Sequence, residues 1–356
     1  MEAAARDSTR PAQAGSLIIG GGAPVSVQTM TNTETADIPA TSAQIARAAA
    51  RGAELVRLAV PDEKAARALP ELVSLSPVPL SADIHFDWRL ALTAIQSGIA
   101  GLRLNPGNIR EPKKILRVAE AAGKAGTAIR VGVNAGSLDP AMAAKYGHSA
   151  EALVRSALAE LKLIESTGFA NLLVSVKASS VSQTVAAVRL LARECGYPQH
   201  LGITEAGDLE SGSVKSSVGL GILLHEGLGD TIRVSLTGPP EAEVDCAWEI
   251  LRSLDLRRRG PEFISCPTCG RCAIDLPALL KEVKDRLRSL KTPLKIAVMG
   301  CTVNGPGEAK MADAGIAGGR GSGALFVKGR LAGRYPYDQL AGILEKTVRE
   351  LAGEES

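Results

Sequence analysis

Six cysteines are spread unevenly along the chain, and four of them crowd residues 266–301. One group reads Cys266-Pro267-Thr268-Cys269, with Cys272 close behind. The other reads Gly300-Cys301-Thr302-Val303-Asn304-Gly305-Pro306-Gly307-Glu308. Two thiolates separated by two residues can chelate one metal centre from a single turn, and a third from a distant loop can close it. Four thiolates would suit structural zinc or an iron–sulfur cluster. Here the second loop offers one Cys and then Glu308, on what reads as a Gly-Pro-Gly bend. Three soft ligands and one hard, weak one fit structural zinc poorly. They fit an iron–sulfur cluster in which one iron must open to a substrate. A zinc ribbon is the rival reading, weakened by the missing second Cys-x-x-Cys. Cys195 and Cys246 fall inside helical patterns and read as small buried hydrophobes.

A second set of reactive residues recurs within, or at the C-terminal ends of, short apolar runs. They are Arg57, Asp83-Ile84-His85, Arg103-Leu104-Asn105, Arg130 with Asn134, Lys177, Thr204-Glu205 and Arg233-Val234-Ser235. Any one of these arginines alone would be a solvated charge or half of an internal salt bridge. Five cations recurring at one end of five strands point to a small, multiply anionic ligand, and bidentate Arg suits phosphate. His85 alone is as readily a core histidine as a site residue.

The elements that must position these groups follow a monotonous pattern from Pro24 onward. Strands are expected over 25–28, 55–60, 80–84, 101–104, 128–133, 172–176, 201–203 and 232–236. Helices are expected over 42–51, 62–72, 88–97, 112–125, 150–167, 181–195, 214–225 and 241–254. Thr41 with Gln44 fits a capping box, and Pro112 suits a first helical position. Gly52, Gly98, Gly126, Gly168, Gly196 and Gly227 fall where a left-handed closing residue is wanted. Eight β-α units in about 235 residues match the (β/α)8 TIM barrel, whose usual size is about 250 and whose sites lie at the C-terminal ends of the strands. A doubly wound open sheet is the rival, but no G-x-G-x-x-G follows the first strand.

The barrel is placed at 16–256. A charged connector, Asp255-Leu256-Arg257-Arg258-Arg259-Gly260-Pro261, leads to a small α/β domain at 261–356. There a helix is expected over 277–290, a buried strand over 294–298, a strand over 324–327 and a closing helix over 337–351. The Gly-rich stretch 315–323 lacks the Lys-Ser/Thr of a P-loop and reads as a turn feeding a strand. Residues 1–15 are Ala-rich and polar, without an apolar signal core, and read as a disordered tail.

Composition agrees with a two-domain globular protein: 356 residues, 45% hydrophobic and 22% charged. With only 3% aromatics, the core must be aliphatic. A net charge of +3 makes no case for nucleic acid or an anionic membrane. No apolar run approaches a membrane span. Cysteines without a secretion signal point to a reducing cytoplasm rather than to disulfides.

These residues resemble a known family. The segments Ser26-Val27-Gln28-Thr29-Met30-Thr31-Asn32-Thr33, Ala82-Asp83-Ile84-His85-Phe86, Leu102-Arg103-Leu104-Asn105-Pro106-Gly107-Asn108 and Thr204-Glu205-Ala206-Gly207, with the two cysteine loops, are similar to 4-hydroxy-3-methylbut-2-en-1-yl diphosphate synthases. These belong to the bacterial non-mevalonate isoprenoid pathway. The likeness runs from about residue 16 to the C-terminal helix and is to the short, two-domain bacterial form. Cys272, which extends the run to Cys-x-x-Cys-x-x-Cys, is a departure from the pattern.

The resemblance implies an oxidoreductase that opens 2-C-methyl-D-erythritol 2,4-cyclodiphosphate with two electrons and removes a hydroxyl as water. It implies a 4Fe–4S cluster on Cys266, Cys269, Cys301 and Glu308. Arg57, Arg103, Arg130, Lys177 and Arg233 would clamp phosphate oxygens, with Asn105, Asn134, Ser235 and Asn304 also at the substrate. Glu205 would deliver the proton, with Asp83 and His85 nearby. The electron donor would be flavodoxin or ferredoxin, since the chain has no flavin or nicotinamide motif. A homodimer is implied, one protomer's cluster domain capping its partner's barrel. The competing classes are a barrel aldolase or isomerase with a zinc domain, Lys177 forming a Schiff base, and an iron- or redox-sensing binding protein.

Overall fold

In a computed structural model, described over residues 5–105, 109 and 111–354, the chain forms two compact units, Met1–Arg257 and Arg258–Ser356. The first opens with a hairpin of β1 (Ala12–Ala14) and β2 (Leu17–Ile19). Strands β3 (Ser26–Met30), β4 (Leu55–Val60), β5 (Leu80–Ile84), β6 (Gly101–Leu104), β7 (Ala128–Asn134), β8 (Leu172–Lys177), β9 (His200–Leu201) and β10 (Thr231–Ile232) then form one parallel sheet. The sheet runs in the order β8-β7-β6-β5-β4-β3-β10-β9, and a single bridge between Val174 and Gln199 joins its ends. The result is a nearly closed TIM barrel.

Its helices are α1 (Ile38–Arg51), α2 (Glu63–Leu75), α3 (Trp88–Gln96), α4 (Pro112–Ala125), a short α5 (Pro140–Tyr146), α6 (Ala150–Glu165), α7 (Val181–Glu194), α8 (Leu209–His225) and α9 (Pro240–Ser253). Most begin on a side-chain cap: Asp37, Asp62, Asp87, Ser149, Ser180 and Asp208 each accept a backbone N–H of the first turn. Leu, Ile, Val and Ala from every barrel strand and from the surrounding helices make one aliphatic core.

Two local expectations are corrected. Asp37 caps α1, so Thr41 lies inside the helix, where its hydroxyl donates to the Glu34 carbonyl. Gln44 reaches Asn32 instead of closing a capping box. Gly52 and Gly126 do close their helices at positive φ, but α7 ends on extended Cys195 and needs no left-handed Gly196.

Residues 5–15, expected as a disordered tail, are folded. Gly15 at φ +61° starts a two-residue hairpin turn. Ala12, Ala14 and Ile19 bury themselves against Leu55, Ala128 and Leu173, near the N-terminal ends of three strands. The hairpin therefore plugs the end of the barrel opposite the expected site, covering apolar rims that would otherwise meet water. The Arg10 amide donates to the Gly196 carbonyl, and Thr9 Oγ1 donates to Asp230.

The second unit holds a five-stranded sheet in the order β11 (Glu262–Ser265), β12 (Lys295–Met299), β13 (Ala314–Gly318), β14 (Ser322–Val327) and β15 (Arg330–Pro336). Helices α10 (Leu276–Arg286) and α12 (Leu340–Ala352) pack on one face. The seven-residue α11 (Gly305–Met311) lies over β12, β13 and β14 on the other. Two readings change here. Gly315 to Gly318 belong to a buried strand, not a turn. Gly305, Pro306 and Gly307 begin a helix rather than a bend, which places Glu308 in its first turn. Among the described residues no helix is long and apolar enough to cross a membrane.

Candidate active site: a cationic barrel mouth and a cysteine loop pair

Register sets Arg103 and Arg130 level with each other, and mutual charge interactions tie the barrel cations into one cluster. Asp83 pairs with Arg103 across β5 and β6, and Arg103 with Arg130 across β6 and β7. Met30 is beside Arg57, and Asn134 beside Lys177. The cluster holds large cations because glycine makes room for them. A Cβ on Gly132 would sit 2.7 Å from Arg103 Nε, and one on Gly202 2.6 Å from Lys177 Nζ.

Two carboxylates share the five cations. Asp83 lies 3.3 Å from Arg103 Nη1 and 3.6 Å from Arg57 Nε. Arg103 Nη2 also donates to the Gly132 carbonyl at 2.9 Å. Glu243, from α9, accepts from Arg233 Nε and Nη2, Thr29 Oγ1 and the Leu236 amide. Arg57 directs Nε and Nη2 at the Met30 sulfur, 3.2 and 3.1 Å away, and Arg233 Nη1 approaches the same sulfur at 3.6 Å. A thioether is a weak acceptor, so these donors retain capacity for a stronger one. Arg130 Nη2 is buried with no hydrogen-bond partner.

Electrostatics follow from this crowding. Burial lowers Lys177 well below its ordinary value, and Arg130, Arg57, Arg233 and Arg103 lower it further. Arg130 is lowered by burial and then by Arg57 and Arg103. Arg57 is brought down to about 10, chiefly by burial, although Asp83 opposes the shift. Burial pushes the Asp83 carboxyl up, but Arg57, Arg103, His85 and Arg130 together outweigh it, and the group stays below its ordinary value. Arg57, Arg130 and Lys177 thus carry a desolvation cost that two carboxylates only partly offset. A ligand bringing several negative charges would complete the cluster.

The remaining expected residues sit around this cluster. Asn105 is buried and donates from Nδ2 to Ser137 Oγ at 2.7 Å. Its neighbours Pro106, Gly107 and Asn108 lie outside the described residues. Asn134 ends β7 and, like Ser235 beyond β10, is half-buried. His85 is half-buried beside Phe86. Glu205 is exposed and adopts φ +52°, a left-handed conformation that costs a non-glycine residue energy and tends to be kept at functional sites.

Sequence reasoning missed His200, Glu243 and Met30. His200 is buried in β9, with Nδ1 3.4 Å from Thr231 Oγ1. Burial, then Arg130 and Lys177, keep its imidazole neutral by lowering it well below its ordinary value. Its position as a polar residue in an apolar strand was the same signal that exposed the arginines. Glu243 sits in the first turn of α9, where an acid is unremarked on dipole grounds.

In the second unit the two cysteine loops meet. The Gly300 amide points at Cys266 Sγ, 3.4 Å away. Backbone N–H groups of Val303, Asn304 and Gly305 hold the Cys301 thiol below its ordinary value. The Arg271 backbone N–H and then its guanidinium do the same for Cys269, opposed by burial and by nearby Cys301. Thiols so placed are suited to deprotonation and metal ligation. Cys272 behaves differently: its thiol donates to the Ile274 carbonyl at 3.3 Å and packs over Gly300.

Among the described residues no three Cys, His, Asp or Glu side chains are gathered tightly enough for a single metal ion. A mononuclear tetrahedral site needs sulfurs about 3.8 Å apart, given bonds near 2.3 Å. A polynuclear cluster lies between its ligands and tolerates wider spacing. The thiol-rich donor set fits such a cluster. Glu308 and Asn304 are exposed at the start of α11.

Comparison with known proteins agrees over both units. Residues 9–248 match the family model of the GcpE TIM-barrel domain, and residues 262–350 that of the GcpE protein C-terminal domain. A 4-hydroxy-3-methylbut-2-en-1-yl diphosphate synthase (flavodoxin) of Lawsonia intracellularis is 56% identical over 351 residues, covering 98% of each chain. The protein of that name from Maridesulfovibrio salexigens is 55% identical, covering 97% of this chain and 96% of its own. Among solved structures, Yersinia pestis dihydropteroate synthase aligns with a TM-score of 0.52 at 15% identity. It covers 70% of this chain and 98% of its own, a likeness of fold alone.

Proposed function

The chain belongs to the family of 4-hydroxy-3-methylbut-2-en-1-yl diphosphate synthases, and from that premise we propose how its own residues divide the work. The enzyme is an oxidoreductase of isoprenoid biosynthesis that converts 2-C-methyl-D-erythritol 2,4-cyclodiphosphate to 4-hydroxy-3-methylbut-2-enyl diphosphate. Two electrons enter, the ring carbon–oxygen bond to phosphate breaks, and a hydroxyl leaves with a proton as water.

Arg57, Arg103, Arg130, Lys177 and Arg233 receive the diphosphate. The observation that carries this reading is the surplus of buried cations over carboxylates in one barrel cluster. A diphosphate supplies the missing charge and replaces the weak thioether acceptor at Arg57 and Arg233. Asp83 is a positioning residue, because its carboxylate holds Arg57 and Arg103. Asn105, Asn134, Ser235 and Asn304 contribute hydrogen bonds. Glu205, held in a strained conformation on the turn after β9, is the proton donor to the departing hydroxyl, with His85 beside the site.

Cys266, Cys269, Cys301 and Glu308 would hold a 4Fe–4S cluster, which when bound supplies electrons one at a time. Cys272, turned toward the Ile274 carbonyl, stays outside that set. The relatives' names carry flavodoxin, and flavodoxin or a ferredoxin is the donor proposed here. The enzyme works in the cytoplasm as a homodimer, with no nucleic-acid or membrane partner.

The test is iron and acid-labile sulfide analysis of anaerobically purified protein, combined with turnover of the cyclodiphosphate by reduced flavodoxin. Near-stoichiometric iron and sulfide with turnover is expected. Zinc without sulfide, or iron without turnover, would overturn the reading.

A further inference from the structure

The second unit carries a groove that the reaction does not use. It lies beside α11, over β14 and β15, with a volume of about 650 Å3. A helix of seven residues cannot cover that face of a five-stranded sheet, and the part nearest the edge strand is left open. Lys310, Arg320, Arg330 and Arg334 line it, all four exposed, and no carboxylate lines it with them. None of the four forms an ion pair among the described residues, although most arginines elsewhere on this surface do. Leu331, 55% exposed, adds an apolar patch between them. The inner end is formed by Thr302 and Pro306, so the groove reaches the loop that carries Cys301.

We infer that this groove is the docking surface for the protein that delivers electrons, a small one-electron carrier whose redox face is acidic. The inference rests on the cluster assignment above and adds the place of entry. Charge complementarity selects the partner: an unneutralised cationic rim attracts a carboxylate-rich surface and repels a basic one. Position selects the role, because a carrier seated here lies against the Cys301 loop. Scale agrees as well. Electron-transfer encounters are small and transient, and depend on charge for their rate of association more than on buried area.

The test uses the full-length enzyme with its cluster and compares two reductants. One is reduced flavodoxin, which must dock; the other is reduced methyl viologen, which need not. In R330E/R334E the KM for flavodoxin should rise about tenfold or more and lose its dependence on salt, as expected when steering charges are reversed. The viologen-driven rate and the KM for the cyclodiphosphate should stay at wild-type values. R330K/R334K, which keeps the charge, should retain most of the flavodoxin affinity. An unchanged flavodoxin KM in R330E/R334E would overturn the proposal. So would a parallel fall in the viologen-driven rate, which would assign the groove to substrate or to folding. Wild-type enzyme inactive with both reductants would instead sink the assignment of the reaction.

Discussion

Arg130 and Lys177 hold their charges at a cost that nothing inside the barrel fully offsets, and that cost is the clearest functional mark at the scale of single residues. If the surplus charge awaits a diphosphate, removing one cation should weaken substrate binding without touching the metal site. Arg103→Leu or Arg130→Leu should lose about 10- to 100-fold in affinity, the equivalent of one or two charge-assisted hydrogen bonds. Titration calorimetry with the cyclodiphosphate reads the loss, and the visible absorption of the cluster should not move. Unchanged affinity would remove the cations from the substrate site. At the cysteine loops, Cys272→Ser should retain both the cluster and turnover, since that thiol faces the Ile274 carbonyl. Glu308→Gln should lose most turnover and shift the electron paramagnetic resonance of the reduced cluster. The reverse pattern would exchange their roles. These residues stand out in the sequence because cations recur at strand ends and Cys-x-x-Cys is specific. Glu243 was not, because its partner Arg233 lies on a different element and only folding brings them within 3.3 Å.

At the scale of elements, period and punctuation located most of the barrel, and glycine misled where it served packing. Gly305 and Gly315 read as turn residues. In the fold, a Cβ on Gly305 would meet Met299 and Ala317 at 3.0 and 3.2 Å, and one on Gly315 would meet the α11 backbone at Ala309. They let a short helix lie close on a sheet, a requirement that no local pattern announces. β9 and β10 are two residues long although their apolar runs continue; just past β9, a Cβ on Gly202 would sit 2.6 Å from Lys177 Nζ. On α6, Glu160 is buried and pushed up to about 7 by burial alone. A carboxyl raised in the folded state contributes its full stability below its unfolded value of 4.5 and loses it as pH rises through about 7. Glu160→Gln should therefore match wild type near pH 4 and exceed it by roughly 3 kcal/mol at pH 8, at 1.36 kcal/mol per pH unit. Urea midpoints at the two pH values check this, and equal midpoints at pH 8 would mean that Glu160 finds a partner when ionised.

For the whole molecule, the proposal that one protomer's cluster domain serves its partner's barrel can be tested directly. With a homodimer whose cluster domain serves the partner's barrel, an Arg103→Leu protomer and a Cys301→Ser protomer should complement each other. Mixed dimers, isolated by two affinity tags, should recover up to about half of wild-type activity per dimer, because one intact pair of sites remains. Inactive mixed dimers would count against service in trans. The division at Arg257 falls within the charged connector, whereas the N-terminal hairpin was hidden by its Ala-rich composition. That hairpin also imposes an order on biosynthesis. The Arg6 and Arg10 amides donate to carbonyls of Gly227 and Gly196, so these residues find their partners only after some two hundred others have followed them from the ribosome. At translation speeds of about 5–20 residues per second, the wait is on the order of 10–40 seconds. The barrel is therefore sealed late, and a nascent chain paused before residue 196 should be the species most in need of a chaperone.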